Sequence, residues 1–207
     1  MINVKDKTPG KRYGHTLSYS KPYLVVFGGN IGDKSVNDCW ILNIVKPPLA
    51  WLEVKCDGEL PPARVYHSAA LCSSGTAGGM IVIFGGRGLD NNPLSDSWGL
   101  RRHRTGRWDW VRAPEKCSPS ARYQHSSLFV GPMMVVVGGR TNSVNEKLPL
   151  EVFDTETSEW HAFESIQRFR HGCWQQDKQL MIYGGFELST PNIPTDSIFK
   201  VGLSRLF

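Results

Sequence analysis

The sequence predicts an all-β protein: a β-propeller of four-stranded antiparallel blades, of which about four are present. Three observations predict it. A short apolar run ending in two glycines occurs four times, at residues 24–29, 80–86, 133–139 and 180–185. An Arg-x-x-His precedes each run, as Arg12/His15, Arg64/His67, Arg122/His125 and Arg168/His171, with arginine spacings of 52, 58 and 46 residues. A tryptophan follows the first three glycine pairs by 21–22 residues: Trp51, Trp108 and Trp160. Three landmarks in register at a period near 50 residues mark repeated units that bury a core only by stacking on one another.

Each unit reads as four strands, with blades at about 12–54, 64–111, 122–163 and 168–203. Strand a follows the Arg-x-x-His. Strand b is the apolar run; it lacks alternation because neighbouring blades cover both faces, and it is expected to be the inner strand. Its glycines (Gly28 and Gly29, Gly85 and Gly86, Gly138 and Gly139, Gly184 and Gly185) let the chain turn at once at a crowded axis, through positive φ and the lack of a Cβ. Strand c spans 38–42, 96–100, 150–154 and, in the fourth copy, 198–201. Strand d carries the tryptophan and packs between blades. A ring of that size buries about 150–250 Å², on the order of 4–6 kcal/mol gross as an upper bound. The fourth copy has no strand d. Met1–Val4 reads as the tail of a preceding strand d or as a strand that closes the ring. Pro149 stands where the other blades have Asp38, Asp96 and Asp196, so the third c strand is expected to be distorted. Arg168–His171 lacks a preceding proline turn, so the fourth d–a loop is expected to differ.

The 207 residues are 40% hydrophobic and 21% charged, with 21 glycines and 13 prolines, as a soluble, turn-rich β protein requires. No apolar run approaches the roughly 18–20 residues that span a bilayer. Residues 1–7 contain no apolar signal core, so no secretory leader is expected. The five cysteines (Cys39, Cys56, Cys72, Cys117, Cys173) are odd in number, widely spaced and form no C-x-x-C. They read as reduced, mostly buried thiols of an intracellular protein, cytoplasmic, nuclear or both. The net charge of +5 permits an acidic partner.

These repeats resemble kelch repeats over nearly the whole chain. Residues 61–139 resemble one subfamily more closely, through Pro93-Leu94-Ser95-Asp96-Ser97-Trp98-Gly99-Leu100, His103-Arg104-Thr105-Gly106-Arg107-Trp108-Asp109-Trp110 and Ser118-Pro119-Ser120-Ala121-Arg122-Tyr123-Gln124-His125. These are similar to the N-terminal kelch region of Ser/Thr protein phosphatases with kelch-like domains, the plant BSU/BSL type and their protist relatives. That resemblance implies a six-bladed ring, of which this is a part, and a phosphatase domain elsewhere in a longer chain. It also implies a two-metal (Mn/Fe/Zn-type) site in that domain. The metal motifs Gly-Asp-x-His-Gly, Gly-Asp-x-x-Asp-Arg and Gly-Asn-His-Glu do not occur here. No metal, cofactor or catalytic residue is therefore expected in this segment. An open arc would expose two sheet edges, and self-association through them is expected as one outcome.

Catalytic readings find little support. Four of the six histidines share one repeat position, which favours hydrogen bonds between strands over catalysis. No Tyr/Cys/His set matches the copper site of galactose oxidase, which shares the kelch fold. No Gly-x-Ser-x-Gly occurs, and the glycine-rich loop at 28–32 lacks the Lys-Ser/Thr of a P-loop. The basic cluster Arg101, Arg102, Arg104 and Arg107 reads first as a solvated hairpin, and second as a dock for an acidic or phosphorylated partner or for the parent's own phosphatase domain. Nucleic acid is the weakest reading, since Trp108 and Trp110 alternate as strand residues.

The best binding surface is the face that carries the d–a and b–c loops. The resemblance places peptide recognition there. Asn30, Arg87 and Arg140 follow the glycine pairs. Tyr13, Tyr66, Tyr123, Gln124 and Arg170 occupy the middle of Arg-x-x-His. Arginine with tyrosine is the composition of binding hot spots. The sequence thus points to a protein-interaction or regulatory module of a metal-dependent Ser/Thr phosphatase, with a protein or phosphopeptide partner. The alternatives are a kelch adaptor or scaffold unconnected to a phosphatase, and an enzyme with its site at the propeller mouth.

Overall fold

The apolar runs become the second strand of four separate antiparallel sheets. The structure is a computed structural model that describes residues 7–114, 116 and 118–206. The expectations for Met1–Val4 and for Cys117 lie outside the described residues. The first blade joins β1 (Thr16–Ser20), β2 (Tyr23–Phe27), β3 (Cys39–Asn43) and β4 (Trp51–Glu53). The second joins β5 (Ser68–Leu71), β6 (Ile81–Phe84), β7 (Ser97–Arg102) and β8 (Trp108–Arg112). The third joins β9 (Ser126–Val130), β10 (Met133–Val137), β11 (Pro149–Asp154) and β12 (Glu159–Ser165). After β13 (Arg168–Phe169) come β14 (Gly172–Gln176) and β15 (Gln179–Tyr183) of the fourth blade. Its b–c loop folds into the hairpin β16 (Phe186–Glu187) and β17 (Thr190–Pro194), with β13 beside it, and β18 (Ile198–Gly202) completes a three-stranded sheet. A 3-10 turn, Leu203–Arg205, follows β18. No helix among the described residues is long and apolar enough to cross a membrane.

The b strands are apolar at successive central positions because neighbouring residues pack on different blades. Ile81 and Ile83 join Val25 and Phe27 of the first blade, while Val82 and Phe84 join Met134 and Val136 of the third. The expectation that b is the innermost strand is corrected. The first strands make the contacts from blade to blade, β1 with β5, β5 with β9 and β9 with β14. Sheets that radiate from an axis converge at their inner edges, so a lies inside b.

Cross-strand register corrects the tryptophan repeat as well. Trp51 lies opposite Leu42, which lies opposite Leu24, four residues before Gly28. Trp160 lies opposite Phe153 and Met134, four residues before Gly138. In the second blade the residue at that place, opposite Leu100 and Ile81, is Trp110 rather than Trp108. Leu100 lies one residue farther from its glycine pair than Leu42 does, and Trp110 one residue farther from Leu100 than Trp51 from Leu42, which together shift the equivalent position by two residues. Both rings still bridge blades, Trp110 against Phe27 at 4.7 Å and Trp108 edge-on to Tyr23 at 5.8 Å. Trp160 packs on Phe84 at 5.0 Å. The distortion expected from Pro149 is present as a register shift between Pro149 and Leu150.

Candidate functional site

The arginine of each Arg-x-x-His is a buried pin that sets the loops of the mouth. Arg64 donates to the Gly85 carbonyl at 2.9 Å and to both Asp96 carboxylate oxygens at 2.8 and 2.7 Å. Arg12 repeats this with Gly28 and Asp38. Each of these aspartates also accepts from the indole two residues on, Trp40 or Trp98, at 2.6 Å. Burial alone would raise the Asp96 pKa, but the Arg64 hydrogen bonds outweigh it and hold the carboxyl below its usual range. In the third blade, where Pro149 replaces the aspartate, Arg122 donates to the Pro149 carbonyl and to Glu151 instead. In the fourth, Arg168 turns to Glu187 and Ser197.

With the arginine pinned, the next two residues are placed by the backbone. The residue after each arginine forms an antiparallel bridge to the residue after the glycine pair: Tyr13 with Asn30, Val65 with Arg87, Tyr123 with Arg140 and Phe169 with Phe186. The third residue is left-handed in every copy: Gly14, Tyr66, Gln124 and Arg170, with φ between 56° and 64°. Their main chains link the blades in series. Tyr66 N donates to Gly14 O, Gln124 N to Tyr66 O, and Arg170 N to Gln124 O, at 2.8–2.9 Å.

This frame brings the predicted mouth residues into one cluster. Tyr13 and Tyr66 face each other at 6.0 Å. The Arg87 guanidinium sits between Tyr66 at 5.9 Å and Tyr123 at 5.6 Å. Arg140 sits between Tyr123 at 5.8 Å and Phe169 at 5.1 Å. Arg170 lies 6.0 Å from both Tyr66 and Phe186. Turned to accept, the Gln124 carbonyl takes two hydrogen bonds from Arg170 at 2.9 Å. Asn30 joins only through its backbone bridge to Tyr13. Among the described residues, Arg87, Arg140 and Arg170 form no ion pair with a carboxylate. The Arg87 Nε is buried without a hydrogen-bond partner. The ladder therefore offers stacked aromatic faces and uncompensated guanidinium donors, a combination suited to an anionic group on an extended chain.

The second basic cluster is separate. Arg101, Arg102, Arg104 and Arg107 lie on the β7–β8 hairpin, at the end of the sheet away from the mouth. Two of them are engaged: Arg101 pairs with Asp109 at 2.8 and 3.1 Å, and Arg102 lies 4.9 Å over the Tyr23 ring. Two of the repeat histidines bridge blades rather than strands of one sheet. His67 Nε2 meets Thr16 Oγ1 and His125 Nε2 meets Ser68 Oγ, each at 2.9 Å. Burial, with the arginine of the same motif, pushes His67 down to about 3 and His125 well below its ordinary value. No group of three His, Cys, Asp or Glu side chains that could hold a metal occurs among the described residues. Sequence reasoning noted the arginines and the c-strand aspartates separately and missed their pairing. Their joint presence in blades one and two, at the same repeat positions, was the available signal.

Residues 1–185 match the family model described as the KLHDC2/KLHL20/DRC7 Kelch-repeats domain. The chain is 35% identical over 169 residues to serine/threonine-protein phosphatase BSL2 of Arabidopsis thaliana, covering 80% of this chain and 16% of that protein. It is 33% identical over 149 residues to Adagio protein 3 of Arabidopsis thaliana, covering 71% of this chain and 23% of that one. To dynein regulatory complex subunit 7 of Chlamydomonas reinhardtii it is 30% identical over 131 residues, 62% of this chain and 11% of that protein. The chain thus spans under a quarter of the length of each of these relatives.

Proposed function

The chain belongs to the kelch-repeat family, and on that premise we propose that it is a protein-interaction module whose mouth captures an acidic or phosphorylated protein segment. The observation that carries this reading is the ladder of Arg87, Arg140 and Arg170 among Tyr66, Tyr123, Phe169 and Phe186, without a carboxylate to neutralise it. Guanidinium groups held between rings lose little conformational freedom when they engage an anion. The chemistry of this segment is recognition rather than catalysis.

The similarity to BSL2 supports a finer proposal. In a longer chain this module would serve a Ser/Thr phosphatase domain, cytoplasmic, nuclear or both, whose own residues hold two metal ions. It would select substrates for that domain or dock the domain itself. The similarity to Adagio protein 3 and to dynein regulatory complex subunit 7 favours a second reading, a kelch adaptor with no phosphatase attached. The coding sequence downstream of Phe207 separates the two, since the phosphatase reading requires the three metal motifs there.

The test of the mouth uses an immobilised pool of Glu-rich phosphoserine peptides. Arg87→Ala with Arg140→Ala should weaken capture at least tenfold, while the unfolding midpoint stays within error of the parent. Undiminished capture by the folded double variant refutes the assignment. Bound manganese or copper, or phosphatase turnover by the purified 207-residue chain, would instead establish an enzyme.

A further inference from the structure

Each b–c loop at the mouth carries an exposed aliphatic side chain: Ile31, Leu89, Val144 and Ile193. Leu89 is 69% exposed and Val144 65%. Blades two and three pack on a blade at either side, so these two are not bared by an outer face of the arc. Nor do they sit on slack loops. In blade two, Arg87 bridges to Pro93, Gly88 N donates to Asn92 O at 3.0 Å, and Asn91 N donates to Gly88 O at 3.1 Å. Leu89 and Asp90 are the central residues of that turn, and the Asp90 carboxylate accepts from the main chain and side chain of Asn92. Blade three repeats the turn, with Glu146 N donating to Ser143 O at 3.4 Å around Val144 and Asn145. Thr141 Oγ1 braces it, accepting from Ser143 N at 3.1 Å and donating to Glu146 at 2.5 Å. Central turn residues point to solvent, so both aliphatic groups are held there by built tips.

The two tips are tied to each other and to the arginine ladder. Asn142 Nδ2 donates to Asn91 O at 3.1 Å, a bond two residues from Leu89 on one side and two from Val144 on the other. The Tyr123 ring lies between Arg87 and Arg140, and its hydroxyl donates to the Thr141 carbonyl at 3.3 Å. The tips also carry carboxylates. Asp90 follows Leu89, Glu146 closes the turn of Val144, and both are exposed. Charge therefore changes sign along each loop, from Arg87 and Arg140 at the base to Asp90 and Glu146 at the tip. A uniformly acidic chain is attracted at the base and repelled at the tips. A chain whose anion is flanked by apolar side chains meets guanidinium at the base and buries its flanks on Leu89 and Val144.

We propose that the b–c loop tips of blades two and three form an apolar subsite of the mouth, which selects partner segments whose anionic residue is flanked by leucine, isoleucine, valine or phenylalanine. This rests on the reading of the mouth as a site for an acidic or phosphorylated segment, and it narrows that class. Leu89 and Val144 take the flanking side chains, Arg87 and Arg140 take the anion, and Asp90 and Glu146 turn away chains that are acidic throughout.

Two pools of immobilised peptides test it, each with a central phosphoserine between two glutamates. One pool has leucine, isoleucine, valine or phenylalanine at the outer positions, and the other has serine, asparagine or glycine. The 207-residue protein should bind the apolar-flanked pool at least tenfold more tightly. Leu89→Ser with Val144→Ser, at exposed turn positions, should leave the unfolding midpoint within error of the parent and bring the two pools within twofold of each other. Arg87→Ala with Arg140→Ala should weaken capture by both pools alike. Equal capture by the two pools, or a preference that survives in Leu89→Ser with Val144→Ser, overturns the apolar subsite and leaves the anionic mouth standing. Capture that the arginine changes do not alter, or no capture by either pool, refutes the mouth and the subsite with it. Self-association that protects these loops from hydrogen exchange without peptide, and that Leu89→Ser with Val144→Ser abolishes, also overturns the proposal and assigns the tips to a second copy.

Discussion

Arg64 holds Asp96 with two hydrogen bonds of 2.8 and 2.7 Å while a third, at 2.9 Å, ties it to the Gly85 carbonyl. One guanidinium thereby fixes the end of strand b, the start of strand c and the loop that leads into strand a. Its side chain is fully buried and that of Asp96 is 14% exposed. Removing one partner leaves a buried charge without compensation, which costs about 3–5 kcal/mol. Asp96→Ala is therefore expected to lower stability by about that amount in urea unfolding. Asp38→Ala should cost less, because Asp38 is more exposed. A loss below 1 kcal/mol at Asp96 would remove the pin from the account of the mouth.

Acid stability follows from the buried repeat histidines. Burial lowers His67 to about 3 and His171 to about 4, whereas an unfolded histidine titrates near 6.5. Below about pH 6.5 the unfolded chain takes up protons that these buried rings refuse, so stability falls with pH until the folded values are reached. At pH 5 each contributes a loss of about 2 kcal/mol. The melting temperature should drop steadily between pH 6.5 and 4, before the Asp96 carboxyl that Arg64 holds low becomes protonated. In His67→Gln the drop should be shallower. A flat profile over that interval would contradict the buried, neutral state of the rings.

The repeat was legible because each landmark residue does the same work in each copy. Gly-Gly, Arg-x-x-His and the strand-d tryptophan are dictated by local backbone and junction geometry, and such constraints recur at a fixed period. Two features were not legible. Distance along the chain from the glycine pair points to Trp108 because it ignores loop length, whereas pairing opposite Leu100 points to Trp110. The strand order from the axis was inverted because apolar content reports burial on both faces, which a second strand has as fully as a first. The mouth residues could be named from their repeat position. Their stacking, Arg87 between Tyr66 and Tyr123, depends on the left-handed turn at Tyr66 and Gln124, a conformation that glycine signals in blade one and that no residue signals in the others.

Gly85 and Gly184 separate the two roles assigned to the first glycine of each pair. Both have left-handed φ, 61° and 71°. A Cβ on Gly85 would come 2.7 Å from the Arg122 carbonyl oxygen and 3.0 Å from His125 Cε1, both on the next blade. At Gly184 the nearest atom would be the Thr195 carbonyl oxygen at 3.8 Å. Alanine pays the left-handed strain at either site, about 1–2 kcal/mol. Only at Gly85 must it also push two blades apart, against backbone that has no freedom to yield. Gly184→Ala should therefore lose about 1–2 kcal/mol by urea unfolding, and Gly85→Ala clearly more, about 3 kcal/mol or above. Equal losses at the two sites would mean that the glycine serves the turn alone and that close blade docking does not select it.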